Sequence, residues 1–222
     1  MNEIRYTLLA DGSSDQLLLP ILSWLLRGKL PNCAVQSQCA DLGSLRKPPI
    51  QLSKRIEAAV DYYPCDILFI HRDAERCSPN SRKTEIEDAV RESGICSPNP
   101  HHVCVIPVRM QEAWFLFDSQ AIRSAAGNPN GSAVLTLPAL KDVENLPDPK
   151  DVLHNALRTA SELRGRRLKD FRVRFHARRL ADVIDDFAPL RAVPAFLMLE
   201  GEVKRIIDSI FSTGSELKPG SQ

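Results

Sequence analysis

A weak strand fits residues 34–40, and three short apolar runs punctuate the first half of the chain: Tyr6-Thr7-Leu8-Leu9, Ile67-Leu68-Phe69-Ile70, and Val103-Cys104-Val105-Ile106-Pro107-Val108. They lack the in–out alternation of a half-exposed strand, which is the pattern of strands buried on both faces of a parallel sheet. Strands are therefore predicted over 4–10, 34–40, 67–71 and 102–108. Between them apolar residues recur at helical spacing. Leu17, Leu18, Ile21, Leu22, Leu25 and Leu26 form one face of a helix over 15–27, capped by Ser13 or Ser14. Leu52, Ile56, Ala59 and Val60 do the same over 50–63. A third helix over 83–92 closes at Gly94, and Ser97-Pro98-Asn99-Pro100 reads as a turn. Strand–helix alternation of this kind predicts a doubly wound sheet with right-handed crossovers.

Past Arg109 the rhythm changes. Helices are predicted over 112–124, 150–163, 176–186 and 194–212, with a turn at Asn128-Pro129-Asn130-Gly131 and a proline-bearing irregular stretch behind it. The expected fold is α/β: a mostly parallel sheet flanked by helices, with a C-terminal helical extension. Its expected organisation is an α/β core over 1–127, an irregular connection over 128–149, a helical subdomain packed on the core over 150–213, and a disordered tail over 214–222.

Composition adds bounds rather than detail. A hydrophobic content of 43% in 222 residues is ample for a packed core. Lys+Arg at 29 against Asp+Glu at 28 give no global attraction to a polyanion. The six cysteines make no CxxC pair and no zinc-ligand spacing. Met1-Asn2-Glu3-Ile4-Arg5 leads straight into the first strand, leaving no room for a signal peptide. No apolar run approaches the roughly 20 residues of a membrane span. A cytoplasmic protein with reduced thiols and no membrane partner is the expectation.

The chemistry lies at the strand ends. Asp11 and Asp15 flank Gly12 after the first strand, Asp73 and Glu75 follow the third behind His71 and Arg72, and Glu112 follows the fourth behind Arg109. Working sites of open α/β sheets lie outside the carboxyl ends of the strands. Clustered carboxylates there are suited to a hard cation such as Mg2+. Each acid also has an ordinary reading: Asp15 and Glu112 as helix-start carboxylates, Asp73 and Glu75 as loop acids paired with Arg72 and Arg76. In extended backbone, positions i and i+2 face the same way, so Asp73 and Glu75 could address one ion. His71 reads as a ligand, a proton carrier or a polar strand end. Trp114, Phe115 and Phe117 read as core.

A strand, an acidic-Gly-x-x-acidic turn, a helix and a later strand ending in spaced acids resemble the TOPRIM domain of topoisomerases, primases and OLD-family nucleases. The chain resembles more closely an uncharacterised bacterial family of TOPRIM-like proteins. The resemblance rests on Ala10-Asp11-Gly12-Ser13-Ser14-Asp15, Phe69-Ile70-His71-Arg72-Asp73-Ala74-Glu75 and Val108-Arg109-Met110-Gln111-Glu112-Ala113-Trp114-Phe115-Leu116-Phe117-Asp118, with Asp148-Pro149-Lys150 and Arg191-Ala192-Val193-Pro194-Ala195-Phe196 further on. It covers about residues 4–205. It implies Mg2+-dependent (or Mn2+-dependent) chemistry on phosphodiesters, and pairing with an ABC- or AAA-type ATPase in defence against foreign DNA. Two departures stand out: Asp11 where the family has Glu, and His71-Arg72-Asp73 where it has Asp-x-Asp.

A basic stretch runs from Arg164 to Arg179, including Arg166, Arg167, Lys169, Arg172, Arg174 and Arg178. Such density suits nucleic-acid backbone binding, or else a solvated or salt-bridged face. Phe171 and Phe175 either stack on bases or, four residues apart, form one buried helical face. The leading expectation is a metal-dependent nuclease acting on DNA or RNA. Asp11, Asp15, Asp73, Glu75 and Glu112 are its metal ligands, and Asp11, Asp73, Glu112 and His71 its catalytic groups. Arg109, Arg164, Arg166, Arg167, Lys169 and Arg172 are its nucleic-acid contacts. The alternative is a catalytically inactive TOPRIM-like binding or regulatory subunit of an ATPase-containing complex.

Overall fold

The computed structural model describes residues 3–95 and 100–213. The turn expected over 97–99 and the tail expected over 214–222 lie outside the described residues. Four strands, β1 (Glu3–Leu9), β2 (Ala34–Cys39), β3 (Ile67–His71) and β4 (His101–Val105), form one all-parallel sheet in the order β2-β1-β3-β4. Registers of Leu9 against Ile70 and of His71 against Val105 bring the carboxyl ends of β1, β3 and β4 level. The fourth strand stops three residues short of its expected end, yet the pairing continues irregularly. Arg72, Ala74 and Glu75 donate backbone N–H groups to the carbonyls of Val105, Pro107 and Arg109 at 3.2, 3.0 and 3.1 Å. Pro107 has no N–H to return, so the ladder becomes one-sided there.

The two faces of the sheet carry separate cores, as the period of two along a strand requires. Tyr6, Leu8, Phe69 and Val105 pack with helix α1 (Leu18–Lys29) on one face. Leu9, Leu68 and Ile70 pack with α2 (Leu52–Tyr62) and α3 (Pro79–Glu92) on the other, against Ile56 and Ile86. A 3-10 turn over Ser13–Leu17 precedes α1, and Pro20 falls within the first turn of α1, where its missing N–H costs nothing. Helix α3 starts four residues earlier than the apolar pattern indicates. Ser78 caps it by accepting the Ser81 N–H at 3.1 Å, and Pro79 occupies its first position.

Instead of one helix over 112–124, a 3-10 turn (Gln111–Phe115) is followed by α4 (Ser119–Ala125). Asp118 makes the break by accepting the Ala121 N–H at 2.8 Å as an N-cap, a role its short side chain favours over a helix interior. Then follow α5 (Pro149–Ser161), α6 (Gly165–Lys169), α7 (Val173–Val183) and α8 (Pro194–Thr213). Trp114, Phe115, Leu157, Leu180, Phe187 and Phe196 from this half join the same core as α1, with Trp114 edge-on to Phe196 at 5.6 Å. The C-terminal helices therefore complete the sheet's first face. No helix of the described residues is long and apolar enough to cross a membrane.

Candidate functional site

The connection from β1 turns toward β2, whereas β3 lies on the other side of β1, so the chain diverges between these two strands. A crevice opens at the carboxyl edge at such a switch point. Three backbone segments meet there: residues 10–17 after β1, 71–75 at the end of β3, and 109–112 after β4.

The inner group is built on His71, whose ring is buried. Its Nδ1 donates to the Val105 carbonyl at 3.1 Å, which leaves the Nε2 lone pair 3.6 Å from Asp73 Oδ1 and 3.9 Å from Asp15 Oδ2. Burial holds the imidazole pKa below its ordinary value and so keeps it neutral, against the pull of Asp15. Asp15 accepts the Gly12 N–H at 2.9 Å, the Ser14 hydroxyl at 2.9 Å and the Gln111 amide at 2.7 Å. Asp73 accepts the Gln111 backbone N–H at 3.0 Å. Burial, then Glu112, then Asp15 push the Asp73 carboxyl up to about 7. Glu112 is buried and meets Lys150 Nζ at 3.2 Å. Gln111 itself is 1% exposed, and its Oε1 has no hydrogen-bond partner among the described residues.

The remaining two expected acids belong to an outer chain of ion pairs. Asp11 bridges Arg55 (2.5 Å) and Arg72 (2.9 Å); Arg72 continues to Glu85 (3.0 Å), Glu85 to Arg82 (2.6 Å), and Arg82 to Glu75 (3.6 Å). Asp11 thus faces guanidinium groups, with its side chain 49% exposed. Glu75 does not share a side with Asp73, because extended geometry ends at Ala74 and Glu75 sits at φ +52°. Its hydrogen-bond partner Arg109 is also left-handed, at φ +67°. Two adjoining non-glycine residues in this sparsely populated region hold a strained crossing point beneath the site.

Beside Glu112 lies a cleft of about 590 Å3, walled by Ser14, Lys150, His154, Arg174, Phe175 and Arg178. Of the expected basic contacts, Arg164, Arg166, Arg167, Lys169 and Arg172 are exposed on and around α6, outside this cleft, and Arg109 is half-buried at the strained crossing. Phe171 and Phe175 do not form one buried face: Phe171 stacks on His176 at 4.1 Å, whereas Phe175 is 61% exposed. Sequence reasoning missed Gln111, Arg55, Lys150 and His154 as site residues. Gln111 could have been found as the neighbour of Glu112; Arg55, on the polar side of α2, had no local signal.

Fold and site define a three-layer α/β protein with a carboxylate group at the sheet's switch point and a cationic cleft beside it. Comparison with protein-family models, with curated proteins and with solved structures finds no match. Among the described residues, no three His, Cys, Asp or Glu side chains are gathered closely enough to hold an ion as they stand. The donor chemistry nevertheless fits a hard cation. Asp15, Asp73 and Glu112 offer oxygens, burial and then the charges of Glu112 and Asp15 raise the Asp73 pKa, and Gln111 Oε1 is a buried acceptor without a partner among the described residues.

Proposed function

We propose that this chain is a metal-dependent phosphodiester hydrolase acting on nucleic acid, in keeping with its resemblance to TOPRIM-like nucleases. The observation that carries the reading is that Asp15 and Asp73, from two strand ends, meet one buried, neutral histidine, with Glu112 from a third near enough for its charge to act on both His71 and Asp73, next to a cation-walled cleft. Asp15, Asp73, Glu112 and Gln111 Oε1 would hold Mg2+ or Mn2+, which supplies Lewis-acid stabilisation of phosphoryl charge.

The protein's own groups do the rest. Lys150 and Arg174 draw the substrate phosphate toward Glu112 by charge. His71, held neutral by burial and with its Nε2 lone pair left free because Nδ1 donates to the Val105 carbonyl, accepts a proton from the attacking water. The imidazolium so formed, stabilised by the carboxylates of Asp15 and Asp73, can return that proton to the leaving oxygen. Asp11 holds Arg55 and Arg72 and thereby fixes the turn that carries Asp15.

The test is calorimetric titration of Mg2+ and Mn2+ into wild type, Asp73→Asn and Glu112→Gln, followed by cleavage of labelled DNA and RNA at low salt. Saturable binding and cleavage that both disappear in the variants are expected. Cleavage retained by both variants would overturn the assignment. That no closed ligand set is gathered among the described residues is compatible with a second reading: a TOPRIM-like regulatory subunit for an ABC- or AAA-type ATPase. Stable co-purification with such an ATPase, without cleavage in any divalent metal, would decide for it.

A further inference from the structure

We infer that the cleft between α5, α7 and the turn after β1 seats an unpaired nucleotide of a single strand, with its base on Phe175 and its phosphate between Lys150 and Arg174. This rests on the nucleic-acid reading above and specifies the substrate class.

Phe175 is not a stray surface ring. His176 meets it edge-on at 5.4 Å and interplanar 86°, while itself stacking on Phe171 and binding the Ala125 carbonyl through Nδ1 at 2.7 Å. The aromatic group is thus held in place from behind, and the Phe175 ring is left 61% exposed at the cleft wall. An exposed aromatic flanked by cations matches a ligand that is flat and apolar at one end and anionic at the other. Arg174 has no acidic partner among the described residues, and Lys150 shares its charge with Glu112 at the cleft floor.

A volume of about 590 Å3 falls within the range of small-ligand pockets and suits one nucleotide rather than a helix. Bases within a duplex already have both faces stacked, so only an unpaired or splayed base can lie on Phe175. Glu112 on the cleft floor would place the adjoining phosphodiester at the carboxylate group.

The experiment is fluorescence anisotropy in EDTA, with a labelled ten-nucleotide single strand, its blunt duplex, and an unlabelled nucleoside monophosphate as competitor. The single strand is expected to bind at least about tenfold more tightly than the duplex or the monophosphate. Phe175→Ala should lose about tenfold of single-strand affinity, with Phe175→Trp restoring it. Because Phe175 is exposed, thermal melting of both variants should match wild type. Equal affinity for duplex, or no effect of Phe175→Ala, overturns the proposal; so does a monophosphate that competes as well as the strand. Binding is read without metal, so a protein that binds as described but never cleaves refutes the hydrolase and leaves this seat standing. Metal-dependent cleavage indifferent to Phe175 does the reverse.

Discussion

Gln111 donates its side-chain amide to Asp15 Oδ1 at 2.7 Å, joining the end of β4 to the turn after β1 across 96 residues of sequence. Both residues are buried, so the bond has no water to replace it. A buried hydrogen bond to a charged acceptor contributes about 1.5–3 kcal/mol, and its loss leaves the carboxylate one donor short. Gln111→Leu should therefore lower stability by about that amount in urea unfolding. It should also weaken metal binding, since Oε1 leaves with the amide. Unchanged stability would mean that the Gly12 and Ser14 donors satisfy Asp15 without help.

The raised pKa of Asp73 gives stability a specific pH dependence. Its folded value of about 7 lies above the ordinary aspartate value of 3.8, so folding favours the protonated form. That contribution is complete below about pH 4 and is lost as pH rises toward 7. His71 acts in the opposite direction: its folded pKa is lowered, so its contribution is present above 6.5 and lost as pH falls through the folded value. Comparison with Asp73→Asn isolates the first effect. In EDTA the variant should gain thermal stability relative to wild type between about pH 4 and 7 and hold that gain above it. Mg2+ should erase the difference by stabilising the ionised wild-type carboxylate. A melting difference independent of pH would place Asp73 in a more solvated setting.

Asp11 and Glu112 should separate cleanly in metal titrations, although both are strand-end acids. Asp11 is half-exposed and spanned by Arg55 and Arg72, whereas Glu112 is buried with a single lysine. Asp11→Ala should leave saturable Mg2+ binding intact and cost a modest amount of stability, about 0.2–1 kcal/mol for each partly exposed pair. Glu112→Ala should remove binding. Loss of binding in Asp11→Ala would show that its arginines release it when metal arrives.

How far the sequence revealed this architecture follows from the range of the forces involved. Continuous apolar runs located β1, β3 and β4, because burial on both faces leaves few polar positions to disguise them, whereas the edge strand β2, Ala34-Val35-Gln36-Ser37-Gln38-Cys39, is half-buried or exposed throughout and left only a weak trace. Trp114 and Phe115 were legible as core for the same reason, and both are fully buried. Local competition misled where a short polar side chain could satisfy backbone groups itself, as Asp118 does in splitting the helix expected over 112–124. Helix α6, built from Gly165-Arg166-Arg167-Leu168-Lys169, has no fully buried position and so left no periodic trace. At the site, Asp15, His71, Asp73 and Glu112 were legible as strand-end groups. Which acids turn inward was not, because Arg55 and Arg82, which draw Asp11 and Glu75 outward, come from α2 and α3. The spacing of Phe171 and Phe175 left their role open, because a separation of four does not say whether both lie on one helix or whether neighbours cover them: Phe171 precedes α7, and Phe175 on it is exposed.

The basic residues on α6 and those on α7 should differ in what they do to nucleic-acid binding. Arg166, Arg167 and Lys169 are exposed outside the cleft, with Arg166 reaching Asp170 at 3.8 Å, so any contact they make with a strand is electrostatic. Each phosphate neutralised releases about one counterion, which sets the slope of affinity against salt. Arg166→Ala with Arg167→Ala should therefore reduce that slope by about two while leaving the preference for single strands over duplex unchanged. Arg174→Ala should reduce the slope by about one and also erode the preference, because Arg174 lines the same cleft as Phe175. Measuring affinity across a salt series for both variants decides the matter. Equal loss of preference in the two would assign strand selection to the whole basic surface, and a slope unmoved by the α6 pair would show that the strand never reaches α6.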